Sequence, residues 1–115
     1  MNEHVELTRT DGQLVCRARV ATSFISRFLG LMGTAQLPHG SGLLFPGSRS
    51  VHTHFMRFPI DVVFLDSDRR IVSVAPELRP WRFATAKGGD SVLELAAGEC
   101  ERLGLAEGDV LLEAA

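Results

Sequence analysis

The 115 residues are 45% hydrophobic and 23% charged, with a formal net charge of −2 and two cysteines. That length fits one domain over residues 1–115, able to bury about two-thirds of its unfolded surface without disulfide or metal staples. The balance excludes a disordered chain and a strongly basic nucleic-acid binder, and no apolar run approaches the ~20 residues that span a bilayer.

The start, Met1-Asn2-Glu3-His4, lacks a basic stretch followed by an apolar one, so no secretory signal is expected. Cys16 and Cys100 have no Cys-x-x-Cys spacing and read as two buried, reduced thiols of a cytoplasmic protein. Val5-Glu6-Leu7-Thr8 alternates apolar and polar, and alternation resumes at Leu14, Cys16, Ala18 and Val20. Between them Asp11-Gly12 predicts a two-residue hairpin turn. Thr22 or Ser23 can cap a helix that runs through Phe24, Phe28, Leu31 and Met32 and stops at Gly33. The apolar run Leu43-Leu44-Phe45 follows a glycine-rich loop. Val51 to Met56 and Ile60 to Leu65 read as strands separated by Pro59, which cannot donate to a ladder. Asp66 to Arg69 turns into the strand Ile71 to Ala75, and Leu78 to Ala86, with Pro80 inside it, reads as a long loop. Val92 to Ala96 is a strand, Gly98 to Leu103 a short helix stopped by Gly104, and Val110 to Glu113 a last strand.

About seven or eight short strands and two short helices predict a mostly β fold, a β-sandwich or compact barrel, with parallel βαβ units disfavoured. Charge is uneven along it. Residues 49–89 carry six arginines and Lys87 against four acids, whereas residues 90–115 carry seven acids against Arg102. The central segment could attract an anionic ligand; the alternative is that the fold brings the acidic end against it.

Several stretches in order resemble one family. Arg27-Phe28-Leu29-Gly30-Leu31-Met32-Gly33 with Gly42-Leu43-Leu44-Phe45 is similar to the domain-of-unknown-function family 192 (DUF192), as are Met56 to Asp66, Val92 to Gly98 and Leu105 to Asp109. The resemblance covers Ala18 to Leu112 and implies a mostly β, sandwich-like fold with a short helix in each half; it implies no reaction. Many members carry a Met-Lys-Asn-Thr type sequence where this chain has Met56-Arg57-Phe58-Pro59, so a polar Asn-Thr role does not transfer to Phe58 and Pro59.

His52-Thr53-His54 places two imidazoles on one strand face, from which both could ligate one divalent transition metal. The competing reading is hydrogen-bonded or partly exposed histidines, because two ligands do not complete a tetrahedral site. No cofactor is expected on that reading. Asp61, within an apolar strand, needs an arginine or several amide donors if it is structural, and is a general acid/base or ligand-orienting group if it is not. Arg79-Pro80-Trp81-Arg82-Phe83 combines oxyanion-binding guanidinium groups with a flat stacking face; the alternative is a Trp81 that plugs one end of the fold. Cys100 lies between Glu99 and Glu101, which raise a thiol pKa, so it reads as structural. No phosphate loop or nucleophile elbow is present in the sequence.

The leading expectation is a non-catalytic module for a small polar or anionic ligand lined by His52, His54, Arg57, Asp61, Arg79 and Trp81. A metal-dependent enzyme using His52 and His54 and a protein-interaction domain are the alternatives, with neither nucleic acid nor membrane as a partner.

Overall fold

The computed structural model describes residues 3–21, 37–53 and 56–114. The helix predicted after Thr22 and the position of His54 lie outside the described residues. The strands are β1 (Glu3–Thr8), β2 (Leu14–Val20), β3 (Ser41–Pro46), β4 (Ser50–His52), β5 (Ile60–Leu65), β6 (Ile71–Leu78), β7 (Phe83–Thr85), β8 (Ser91–Ala96) and β9 (Leu112–Glu113). One short helix, α1 (Glu99–Leu103), follows β8.

The alternating residues at the start form the predicted hairpin, with Val5 opposite Ala18 and Leu7 opposite Cys16. Its turn is a three-residue loop, not the two-residue one expected: the Arg9 N–H donates to the Gln13 carbonyl (2.8 Å) and the Gly12 N–H to the Arg9 carbonyl (2.9 Å). Within that loop only Gly12 needs the left-handed region, at φ 89°. The Asp11 carboxylate instead accepts the Gln13 N–H at 2.9 Å, so an aspartate is spared a conformation that glycine adopts without penalty.

Seven strands form one sheet in the order β6-β5-β8-β3-β2-β1-β9, and β4 and β7 form a separate two-stranded arm. Every described pairing is antiparallel except β2 with β3. The connection between those two runs through residues 21–40, long enough for the crossover a parallel pair requires. A close approach fixes this junction. A Cβ on Gly42 would stand 3.1 Å from the Cys16 sulfur and 3.2 Å from the Glu94 carbonyl oxygen, so any larger residue would push these neighbours back by a few tenths of an ångström.

Strands β5 and β8 are buried along their whole length because they are covered on both faces, which explains their nearly unbroken apolar sequences. Leu44, Val63, Leu65, Leu93 and Leu95 face an inner core shared with Cys16 and with Leu103 of α1. Leu43, Phe45, Val62, Phe64 and Val92 face a second core capped by Val51 of β4, Phe58 and Ala86. The arm therefore lies over the outer side of the sheet.

The segment after α1 decides between sandwich and barrel. The Ile71 N–H donates to the Asp109 carbonyl (2.7 Å) and the Leu111 N–H to the Arg69 carbonyl (2.9 Å), at the β6 edge. Three residues on, β9 pairs with β1, Leu112 opposite Thr8 and Glu113 opposite Leu7. One strap thus stitches both edges of the sheet, which curls into a half-barrel. The strand predicted over Val110–Glu113 is split accordingly: Val110 bridges Arg70 and only Leu112–Glu113 runs along β1.

Two other expectations change. The strand predicted over Val51–Met56 ends at His52, and the loop predicted over Leu78–Ala86 contains β7. Three-residue strands are too short for periodicity to reveal, and each exists because the other pairs with it. Among the described residues no helix is long and apolar enough to cross a membrane.

Candidate binding site

The arm alternates as strands must. Val51 points inward and is buried, as is Thr53, while His52 between them is exposed. Opposite His52 in the register stands Phe83. Their rings pack at 4.8 Å between centroids with a 47° tilt, and Phe83 stays 55% exposed. Residues directly opposite on a strand pair share a face, so this aromatic pair is presented outward.

Thr53, fully buried, organises the loop between β6 and β7. Its N–H donates to the Arg82 carbonyl (2.9 Å), and its own carbonyl accepts the N–H groups of Trp81 (2.9 Å) and Met56 (3.3 Å). Its hydroxyl donates to the Arg79 carbonyl (2.6 Å) and accepts the Arg82 N–H (2.8 Å). One side chain satisfies backbone groups at both ends of the turn Arg79 to Arg82. Sequence reasoning fixed on the two flanking histidines and passed over this threonine; the available signal was period-two alternation, which sends the middle residue inward.

Held in this clamp, Trp81 adopts φ 64° with 61% of its surface exposed. For a bulky side chain this left-handed conformation costs about 1–2 kcal/mol, and such strain persists only where surrounding bonds over-determine it. The loop's conformation keeps the indole on the surface, which removes the reading in which Trp81 plugs the fold.

Arg57, Arg79 and Arg82 are exposed beside this aromatic surface, Arg57 one residue beyond the Met56 amide that bonds to Thr53. Among the described residues none of the three forms an ion pair. Arg49 sits at the other end of the arm, where its carbonyl accepts the Thr85 hydroxyl at 3.0 Å.

Asp61 is not brought to this surface. Its neighbours Ile60 and Val62 face the second core, so its side chain points through to the opposite face of the sheet. There the fully buried carboxylate accepts the N–H of Glu77 and the N–H of Cys100, both at 2.8 Å. The first fixes the bulge that ends β6, where Glu77 stands at φ 51°; the second ties the first turn of α1 to β5. This is the amide-capping role foreseen for a structural Asp61. It supports the site at one remove, because the Arg79–Arg82 turn departs two residues after Glu77.

A second polar cluster surrounds Glu99, whose side chain is 1% exposed. Its carboxylate accepts two bonds from the Arg102 guanidinium, at 2.7 and 2.8 Å, and bonds the His39 Nδ1 at 2.8 Å. The Arg102 bonds, then His39, hold it at about 2, well below the usual carboxylate range, against a burial penalty that acts the other way. Burial pushes both thiols up to about 12, helped by Glu99 at Cys16 and by Asp61 at Cys100. Neither is a ready nucleophile. Glu94, buried within β8, was likewise overlooked, although an acid inside an apolar strand was legible as such.

A cleft of about 350 Å³ lies at the strap, lined by Arg9, Asp11, Arg70 and Asp109 among others. Its cations are committed: Arg9 bonds the Leu103 carbonyl and Asp109, and Arg70 the Gly108 carbonyl. Among the described residues no group of three or more His, Cys, Asp or Glu could hold a metal ion.

Comparison with known proteins places this geometry in a wider set. The DUF192 family model, described as Uncharacterized ACR, matches residues 6–112. A UPF0127 protein of Thermococcus sibiricus is 35% identical over 109 residues, covering 90% of this chain and 70% of the relative. Another, from Thermococcus kodakarensis, is 32% identical over 100 residues; the chain spans 63% of its length. Among solved structures, a "putative transcription regulator" from Sinorhizobium meliloti superposes with a TM-score of 0.82 at 27% identity, covering 98% of this chain and 94% of that one. A protein of unknown function from Novosphingobium aromaticivorans gives 0.79 at 27% identity, over 96% and 84%.

Proposed function

Since the chain belongs to the DUF192 family, whose description assigns no reaction, we propose on chemical grounds that it is a non-catalytic binding module for a small polar or anionic ligand, held at the arm by His52, Arg57, Arg79 and Trp81. The observation that carries this is the exposed Trp81 on a clamped, strained turn between two exposed arginines. Guanidinium groups offer paired donors to an oxyanion, and a rigid aromatic side chain loses little entropy on contact. The two buried thiols, both held protonated, supply no nucleophile.

The test is a thermal-shift screen of anionic metabolites and sugars on the wild type and on Trp81→Gly. Glycine adopts φ 64° without strain, so this variant keeps the turn and removes only the indole. A ligand present at 100 times its Kd raises stability by about 2.7 kcal/mol, and that shift should vanish in Trp81→Gly. A panel that moves neither protein, or moves both equally, defeats the proposal.

A further inference from the structure

We propose that His39 is a phosphoryl acceptor: its Nε2 takes the phosphoryl group of a small acyl phosphate, Glu99 positions the ring, and Arg102 meets the phosphoryl oxygens. The three residues belong to α1 and the turn before β3. Because α1 packs through Leu103 on the inner core while the arm covers the outer one, this site is separate from the arm and independent of the binding reading.

The imidazole is oriented by a carboxylate that is itself fixed. Glu99 is 1% exposed, whereas the His39 side chain bonded to it keeps 70% of its surface in solvent. Two bonds from Arg102 engage both carboxylate oxygens, and the Gly40 N–H adds a longer one at 3.4 Å. Satisfying the buried carboxylate therefore does not require an imidazole as well. A carboxylate held ionised, as these bonds hold Glu99, offers only acceptors. The hydrogen in its 2.8 Å contact with His39 must then sit on Nδ1, which fixes the neutral ring in the tautomer whose lone pair is on Nε2. Nε2 lies across the ring from Glu99, and among the described residues nothing bonds it.

Arg102 supplies the second half of the site. Its Nε and Nη2 donate to Glu99, its side chain is 58% exposed, and Nη1 makes no bond among the described residues. A guanidinium that shares one carboxylate with the imidazole stands beside it, and its remaining donors suit the oxygens of a phosphoryl group. The step balances without a base. The Nε2 lone pair forms the N–P bond while the P–O bond to the carboxylate leaving group breaks and takes its electron pair with it. Nδ1 keeps its hydrogen, and the positive charge that develops on the ring is met by Glu99. No enclosed pocket is needed, because phosphoryl transfer depends on positioning and charge.

The chain has four histidines, so each sample carries its own controls. Acetyl phosphate should label His39 with one acid-labile, alkali-stable phosphoryl group, read by phosphorus NMR and peptide mass. Labelling should be at least about tenfold faster than at His4, His52 or His54. His39→Gln, at an exposed side chain, should remove that label. Glu99→Gln keeps the side chain's size but frees the tautomer and takes away the countercharge. It should slow His39 labelling about tenfold in protein whose urea midpoint shows it folded. Arg102→Ala, also at an exposed side chain, should slow it as much and replaces Glu99→Gln if that variant does not fold.

Label spread evenly over the four histidines, or an unchanged His39 rate in Glu99→Gln and Arg102→Ala, overturns the proposal. Acetylation of His39 in place of phosphorylation overturns the phosphoryl class. So does an unlabelled His39 under conditions in which acetyl phosphate modifies free imidazole.

Discussion

Asp61 shows how one residue type in one sequence context can be read two ways and decided by geometry. A carboxylate between Ile60 and Val62 must find donors, and it finds two backbone amides, those of Glu77 and Cys100. Because an unsatisfied buried amide costs about 1–3 kcal/mol, Asp61→Ala should lower unfolding free energy by roughly 2–5 kcal/mol. Asp61→Asn, which keeps one acceptor oxygen, should lose about half as much. Urea unfolding at constant m-value measures both; a loss below about 1 kcal/mol for the alanine variant would return Asp61 to a functional role. Thr53 is the counterpart on the other face, a buried hydroxyl engaged as both donor and acceptor. Its importance was hidden because threonine in a strand looks ordinary. The partners that make it matter lie 26 to 29 residues away.

At the scale of elements, α1 is too short to be stable alone and is held by side chains. Asp61 secures its first turn, and Glu99 on its first residue gathers Arg102, His39 and the loop before β3. Because Glu99 titrates at about 2 in the fold against 4.5 ordinarily, its contribution is complete above about pH 4.5 and is lost as pH falls toward 2. On the order of 2 kcal/mol should disappear across that window. Urea midpoints measured from pH 5 to pH 2 should show a shallower decline for Glu99→Gln than for the wild type, and parallel curves would refute the assignment. The rest of the β6 edge, beyond the strap's bonds at Arg69 to Ile71, also makes sense at this scale. Pro76, the positive-φ Glu77 and register shifts at both ends of its pairing with β5 blunt an edge that would otherwise recruit another strand.

For the whole molecule, the strap from Asp109 to Ala114 holds together two sheet edges that share no strand. Most of its worth is burial and backbone pairing, since Leu111 is completely buried, while the Arg69–Glu113 pair is exposed and contributes at most about 1 kcal/mol. A chain ending at Leu111 should therefore keep slow amide exchange in β3, β5 and β8 but exchange faster along β1, where β9 is gone. Uniform acceleration would mean instead that the strap is part of the global folding unit.

Sequence alone determined the elements whose own residues carry the signal. Alternation set the opening hairpin, short and largely apolar runs set β5 and β8, and Gly98 to Gly104 bracketed the helix. All are local, so composition and period suffice. What tertiary structure decided is everything that depends on residues far apart in the chain: the parallel β2–β3 pair, the arm of two three-residue strands that stabilise only each other, and the strap that makes a half-barrel of an open sheet. The candidate site divides the same way. Its arginines and aromatics were legible as residue types, and alternation tells which residues share a face, but that Asp61 meets the amides of Glu77 and Cys100 and Thr53 the turn Arg79 to Arg82 depends on partners 16 to 39 residues away, and no local pattern encodes that.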